Sequence, residues 1–232
     1  MAPTISVVFP MYNEEAYVRR AVAAAGQALA EVNPDHEIIV VDDASTDGTA
    51  AIAEELARAD PRIRVLRHAA NRTLGGTLRS GFAAATKELV LYTDADLPFD
   101  LFELSRAVRI LEFQQADLLA AYRFDRTLEG PRRALYTGVY TFLIRSLFEL
   151  PVRDVNFAFK LFRRALLERI VLKSEGSFID AELLIRARKA GAHIVQIGVD
   201  YFPRARGSST LSRPGVILRI LGEMVRLWPE LR

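Results

Sequence analysis

An α/β fold is what this sequence predicts: a mostly parallel sheet with helices on both faces, in a single domain spanning 1–232. Three observations predict it. Four short apolar, β-branched segments lead the chain, each followed by a helical pattern. The 232 residues, 50% hydrophobic and 26% charged, suit one domain of this class with a sizeable buried core. Polar clusters stand at the carboxyl ends of three of the segments, where open parallel sheets bind their ligands.

The segments ISVVF (5–9), EIIVVDD (37–43), RIRVL (62–66) and ELVLYTD (88–94) read as parallel strands covered on both faces, since they are apolar runs rather than alternating ones. Between them the pattern predicts three helices. The first runs from Asn13 to Ala30, with Asn13 as N-cap and Glu14 and Glu15 in its first turn; the second from Asp47 to Ala59, capped by Asp47; the third from Gly75 to Thr86. Past residue 100 a helix is expected near Leu101 to Gln114 and a strand at Asp117 to Tyr122. GPRRALYTGVYTFLIRSLFEL (130–150) follows, apolar over more than one helical face. NFAFKLF (156–162) reads as a further strand, DAELLIRARKAG (180–191) as a helix and HIVQIGV (193–199) as the last strand.

The chain has no Cys, which excludes disulfides and thiolate metal centres, and its three His (His36, His68, His193) are too scattered in sequence for a zinc cluster. MAPTISVVFP lacks the features of a secretory leader, and no stretch reaches the ~18 uncharged apolar residues of a membrane span. A cytoplasmic protein is expected. Net charge is +2, and the Arg-rich region from Arg123 to Arg226 points to an anionic partner on the second half. Two phosphate motifs are excluded. GTLRSG (76–81) has P-loop glycine spacing, but Phe82 and Ala83 stand where Lys and Ser/Thr would be needed. The first strand ends in FPMYNEE without glycine, which bars the pyrophosphate approach of a dinucleotide-binding dehydrogenase.

The clusters PMYNEE, VDDASTDGT and TDAD share one edge of the expected sheet. Without a glycine loop, a diphosphate bound there has to be neutralised some other way, and a divalent cation does that. Mg²⁺ or Mn²⁺ is usually held by one or two carboxylates plus substrate phosphates, and Asp94 and Asp96, two apart in extended chain, can point to the same side. This chemistry suits a nucleotide-sugar diphosphate.

Seven ordered stretches carry a resemblance: VVFPMYNEE (7–15), IIVVDDASTDGT (38–49), NRTLGGTLRSGF (71–82), YTDADLPFD (92–100), RDVNFAFKLFRR (153–164), GSFIDAELLIRARKAG (176–191) and PRARGSS (203–209). Over nearly its whole length the sequence resembles family 2 glycosyltransferases of GT-A fold, in the branch of dolichyl-phosphate mannose synthases and polyprenyl-phosphate glycosyltransferases. The resemblance implies a donor half in 1–100 and an acceptor half in 101–232. It also implies that Pro10, Tyr12, Glu14, Asp42 and Asp43 hold base and ribose, that Asp94 and Asp96 hold the metal, and that Asp154 lies near the acceptor as the candidate base. One of Asp42 and Asp43 can instead cap the turn that follows. The sequence departs from the family pattern at Thr73, Thr77, Pro98, Phe157 and Ala158.

Similar enzymes use a polyprenyl or dolichyl phosphate at the cytoplasmic membrane face. Arg123, Arg126, Arg132 and Arg133 precede the apolar 134–150 segment, and Arg204 and Arg206 lie in PRARGSS; Arg suits phosphate through its bidentate fork, although each can equally be a solvated surface charge. VILRILGEMVRLW (216–228) can lie in a membrane interface or pack on the protein's own core. The expected activity is transfer of a sugar from UDP or GDP to a polyprenyl phosphate, with peripheral membrane contact and no nucleic acid. The alternatives are the same donor with a hydroxyl acceptor, and a nucleotide-sugar-binding protein without turnover.

Overall fold

The computed structural model describes residues 2–125, 131–202 and 214–232. The chain runs β1 (Ile5–Met11), α1 (Val18–Val32), β2 (His36–Asp42), α2 (Thr49–Ala59), β3 (Ile63–Arg67), α3 (Thr73–Ala84) and β4 (Leu89–Thr93) through its first part. It continues through α4 (Glu103–Phe113), β5 (Leu118–Arg123), α5 (Pro131–Phe148), β6 (Phe159–Arg163), α6 (Leu166–Arg169), α7 (Ile179–Lys189), β7 (Ile194–Val199) and α8 (Pro214–Leu231). Seven strands form one sheet in the order β3-β2-β1-β4-β6-β5-β7. All neighbours are parallel except β6, which runs antiparallel to both β4 and β5.

Every residue of β2 and β4 is buried, as expected of strands covered on both faces. One apolar core, around Val7, Phe9, Val40 and Leu91, packs under α1 and α4; the other, around Val8, Ile39, Val90 and Phe162, packs under α3, α5, α7 and α8. Gly81 lets α3 lie directly on β1, since a Cβ there would meet Val8 Cγ1 at 2.3 Å. In α8 the buried positions Ile220, Glu223, Leu227 and Leu231 form one stripe, while Leu218, Leu221 and Val225 are exposed. The helix therefore packs on the core with one face and leaves another apolar one uncovered.

Three helix starts differ from expectation, among them that of α3, which begins at Thr73 rather than Gly75. α1 begins at Val18 rather than Asn13, because Asn13 is left-handed (φ 56°) and its side chain accepts the Thr46 N–H across to the next loop at 2.8 Å. α2 begins at Thr49 with Gly48, not Asp47, at its N-cap; Asp47 lies one residue before, its Oδ1 accepting the Thr49 N–H at 2.9 Å. The strand expected from Asn156 begins only at Phe159, since residues 156–158 line a cavity at the sheet edge.

Candidate active site

The carboxyl ends of β1 and β4, with the residue that follows β2, open onto one cavity of about 390 Å³, within the range of small-ligand sites. Pro10, Met11 and Tyr12 reach it from β1, Asp43 from the end of β2, and Asp94, Ala95 and Asp96 from the turn after β4. That edge is held by mutual stitching of two loops. Asn13 N–H donates to Ser45 Oγ (3.0 Å), Glu14 N–H to Thr49 Oγ1 (2.8 Å), and Gly48 N–H to Glu15 Oε2 (2.7 Å). Much of the polarity of PMYNEE and VDDASTDGT thus serves to fix the site's rim.

Strain collects at the same edge. Asn13, Ala44, Thr73 and Leu97 are non-glycine residues with φ between 44° and 61°. Each such conformation costs roughly 1–2 kcal/mol, and each sits next to a cavity-lining residue or is one.

The paired acids of VVDD have different surroundings. Asp42 is fully buried outside the cavity lining; its Oδ1 accepts the Ser45 N–H at 3.3 Å and Arg67 approaches its Oδ2 at 3.6 Å. Asp43 lines the cavity, its Oδ1 receiving the Arg72 N–H (2.8 Å) and a ring nitrogen of His68 (2.7 Å). Tyr12 stands at the rim, half exposed, and Glu14 is in the lining.

On the other side, Arg123 reaches the cavity from the end of β5 and is gripped by Asp154 in a bidentate pair, Nε to Oδ2 at 2.7 Å and Nη2 to Oδ1 at 3.0 Å. Its guanidinium also lies over the rings of Phe157 and Tyr201, 5.5 and 5.4 Å from their centroids. Asp154 itself is buried outside the lining, so its link to the cavity runs through Arg123. Arg126, Arg204 and Arg206 lie outside the described residues, and Arg132 and Arg133 belong to the first turn of α5.

Several lining residues escaped sequence reasoning. Asp180, in the first turn of α7, accepts from the fully buried Lys160 at 2.5 Å; burial raises its carboxyl above the usual range, Lys160 opposing and Asp154 adding to the shift. An acid opening a helix reads simply as a complement to the helix dipole, so no pattern distinguished it. Asn156 and Ser177 also line the cavity, as does Asn71 beside Asp43, whose carbonyl accepts from its Nδ2 at 3.1 Å. The loop before α7 is tied down with unusual completeness. Glu182 accepts the N–H groups of Lys173 and Ser174, Glu223 of α8 accepts those of Glu175 and Gly176, and the Glu175 carbonyl accepts from Gly75 and Gly76 of α3. Gly75 is required there, because a Cβ would meet the Ser174 carbonyl at 2.2 Å.

Comparison with known proteins gives concordant results. Residues 6–171 match the family described as Glycosyl transferase family 2. The chain is 31% identical over 234 residues to Glycosyltransferase AglD of Haloferax volcanii, covering 98% of this chain and 37% of that protein, so it spans little more than a third of that relative's length. It is 30% identical over 217 residues to Polyprenol monophosphomannose synthase of Mycolicibacterium smegmatis, covering 89% of this chain and 80% of the relative. Among solved structures, glucosyl-3-phosphoglycerate synthase from Mycobacterium tuberculosis, in complex with Mn²⁺, uridine-diphosphate and phosphoglyceric acid, superposes with a TM-score of 0.74 at 23% identity, covering 95% of this chain and 78% of that one. The GT-A fold is shared over nearly the whole chain.

Proposed function

The chain belongs to glycosyl transferase family 2, and from that premise we propose that it is a metal-dependent, inverting glycosyltransferase moving a sugar from a UDP- or GDP-linked donor to a polyprenyl phosphate. The observation that carries this reading is the one cavity whose lining holds Tyr12, Asp43, Asp94 and Asp96 together with Arg123 and Asp180. Residues 1–100 supply its donor side and 101–232 its acceptor side.

In this reading Tyr12 stacks on the base, Asp43 accepts from base N–H or ribose hydroxyls, Pro10 and Glu14 shape the same subsite, and Asp42 supports the turn beneath. Asp94 and Asp96 would hold Mg²⁺ or Mn²⁺. Among the described residues no group of three His, Cys, Asp or Glu forms a closed metal cage, and two carboxylates with the rest left to phosphate and water are what these cations usually take. The Mn²⁺ of the structural relative supports the same reading. When bound, the cation supplies Lewis-acid stabilisation of the departing diphosphate.

The acceptor phosphate oxygen attacks the anomeric carbon as the bond from that carbon to the diphosphate oxygen breaks. Its second pKa is about 6, so near neutral pH the nucleophile is already largely anionic and needs positioning more than deprotonation. Arg123, held by Asp154 through Nε and Nη2, supplies positive charge beside the acceptor phosphate; Arg126, Arg133, Arg204 and Arg206 are proposed as further phosphate contacts. The name of the mycobacterial relative, a polyprenol monophosphomannose synthase, supports the lipid acceptor. A second reading, with a hydroxyl acceptor, is favoured by Asp180: a carboxyl raised by burial and lining the cavity suits a general base.

No helix among the described residues is long and apolar enough to cross a membrane. Peripheral contact with the inner membrane face is proposed instead, through the exposed Phe142 and Leu147 of α5 and Leu218, Leu221 and Val225 of α8.

Thermal shift with UDP- and GDP-sugars in the presence of Mn²⁺ or Mg²⁺ tests the donor site, since a ligand of the native state raises its stability by RT ln(1 + [L]/Kd). Wild type should be stabilised by at least one such pair. Asp96→Ala should fold normally yet lose the metal-dependent shift and transfer to polyprenyl phosphate. Chelator-insensitive turnover, or an Asp96→Ala variant keeping most activity, would remove the metal from the reading.

A further inference from the structure

His68 joins three parts of the donor side. It follows β3, its backbone N–H donates to the Asp42 carbonyl at 2.9 Å, and its ring reaches both Asp43 Oδ1 (Nδ1, 2.7 Å) and Ser80 Oγ of α3 (Nε2, 2.9 Å). The side chain is only 10% exposed, so these contacts form largely out of water.

The donors and acceptors fix the direction of this chain at its Asp43 end. An ionised carboxylate only accepts, so Nδ1 carries the hydrogen toward Asp43. A guanidinium only donates, so the Arg72 Nη1 that lies 3.3 Å from Ser80 Oγ gives its hydrogen to the hydroxyl. Ser80 is then free to donate to His68 Nε2, its alternative being the Gly76 carbonyl one turn back at 3.1 Å. Arg72 closes the loop, because its own backbone N–H donates to the same Asp43 Oδ1 at 2.8 Å.

A serine, a histidine and an aspartate in line resemble a nucleophilic triad, but Ser80 is absent from the cavity lining and Asp43 is present in it. The end of the chain that meets a ligand is the carboxylate. Both bonds to Asp43 land on Oδ1, which holds the carboxylate by one oxygen and leaves Oδ2 as the oxygen to meet a ligand. The ring bond adds to the amide bond a second restraint on the carboxylate torsion.

We propose that His68 is a positioning residue of the donor site, orienting Asp43 so that Oδ2 meets the hydroxyl or N–H donors of a nucleoside diphosphate sugar. This rests on the reading of Asp43 as a donor contact. Asn at position 68 keeps an amide N–H near the place of Nδ1, whereas Gln keeps only a group near Nε2, so the two substitutions separate the Asp43 bond from the Ser80 bond.

The test is calorimetric titration of UDP-glucose and of GDP-mannose, each with Mn²⁺, into wild type, His68→Asn, His68→Gln, Asp43→Ala and the His68→Gln/Asp43→Ala double variant. Losing a hydrogen bond to a charged group should weaken donor binding about tenfold in His68→Gln, and His68→Asn should restore most of it. The double variant should bind no more weakly than Asp43→Ala alone, because the effect passes through Asp43. Unchanged binding in His68→Gln beside weakened binding in Asp43→Ala would overturn the role of His68 and leave the donor site standing. Additive losses in the double variant would also overturn it, by showing that His68 acts elsewhere. If neither nucleotide sugar binds wild type, or Asp43→Ala binds as wild type does, the reading of Asp43 falls and this inference with it.

Discussion

Lys160 of β6 and Asp180 of α7 meet between sheet and helix with no exposed surface on the lysine, and the ammonium is shared between Asp180 and the Phe157 carbonyl at 2.9 Å. Burial raises the Asp180 carboxyl above the usual range, with Lys160 pulling against it. The folded state therefore holds that proton more tightly than the unfolded chain. Stability from this group falls as pH rises from the ordinary aspartate value, about 4, through the raised folded value, and is level beyond it. Asp180→Asn should flatten that slope, read from urea midpoints of both proteins across the acidic range; an unchanged slope would mean that Asp180 titrates normally. Asp94 and Asp96 were legible in the sequence because acids ending an apolar strand stand out. Asp180, Lys160 and His68 were not, since each depends on a partner 12 or more residues away that no periodicity reveals.

Among the elements, those of the first half followed their apolar periods closely, and the discrepancies lie where side chains bond to another loop instead of to their own helix. Asn13 and Glu14 looked like the start of α1; they are committed to the loop after β2. The reversed direction of β6 was not legible either, because strand period says nothing of polarity. α8 offers a clean test of such long-range bonding. Glu223 Oε1 accepts both the Glu175 and Gly176 N–H groups at 2.8 Å, while Oε2 has no hydrogen-bond partner among the described residues. Glu223→Gln retains the accepting oxygen and should cost under about 1 kcal/mol, whereas Glu223→Ala strands one buried and one part-buried donor and should cost about 2–4 kcal/mol in urea unfolding. Equal losses for the two substitutions would show that charge, not the paired amides, is what matters.

Across the described residues, the side of the sheet carrying α5 and α8 has uncovered apolar surface on both helices, besides the exposed Phe102 and Phe113 at the two ends of α4. Leu218 and Val225 are 70% and 69% exposed, beside the exposed Arg219 and Arg226. Wild type should co-sediment with vesicles containing phosphatidylglycerol, and Leu218→Glu with Val225→Glu should release it without lowering thermal stability. Sedimentation of the double variant equal to wild type would remove α8 from that contact. The clamp on the loop before α7 carries a further consequence, this time for the order of events during translation. β1 to β4 leave the ribosome early with most of their own apolar partners, yet the N-terminus of α3 rests on the Glu175 carbonyl and that loop rests on Glu223. The nascent chain can thus pair β1 to β4 well before it can complete the cavity wall at Ser177, which waits for residue 223 to emerge. A half-made polypeptide would hold the strand-end acids without the opposite wall, and so would not sequester sugar nucleotide while synthesis is still under way.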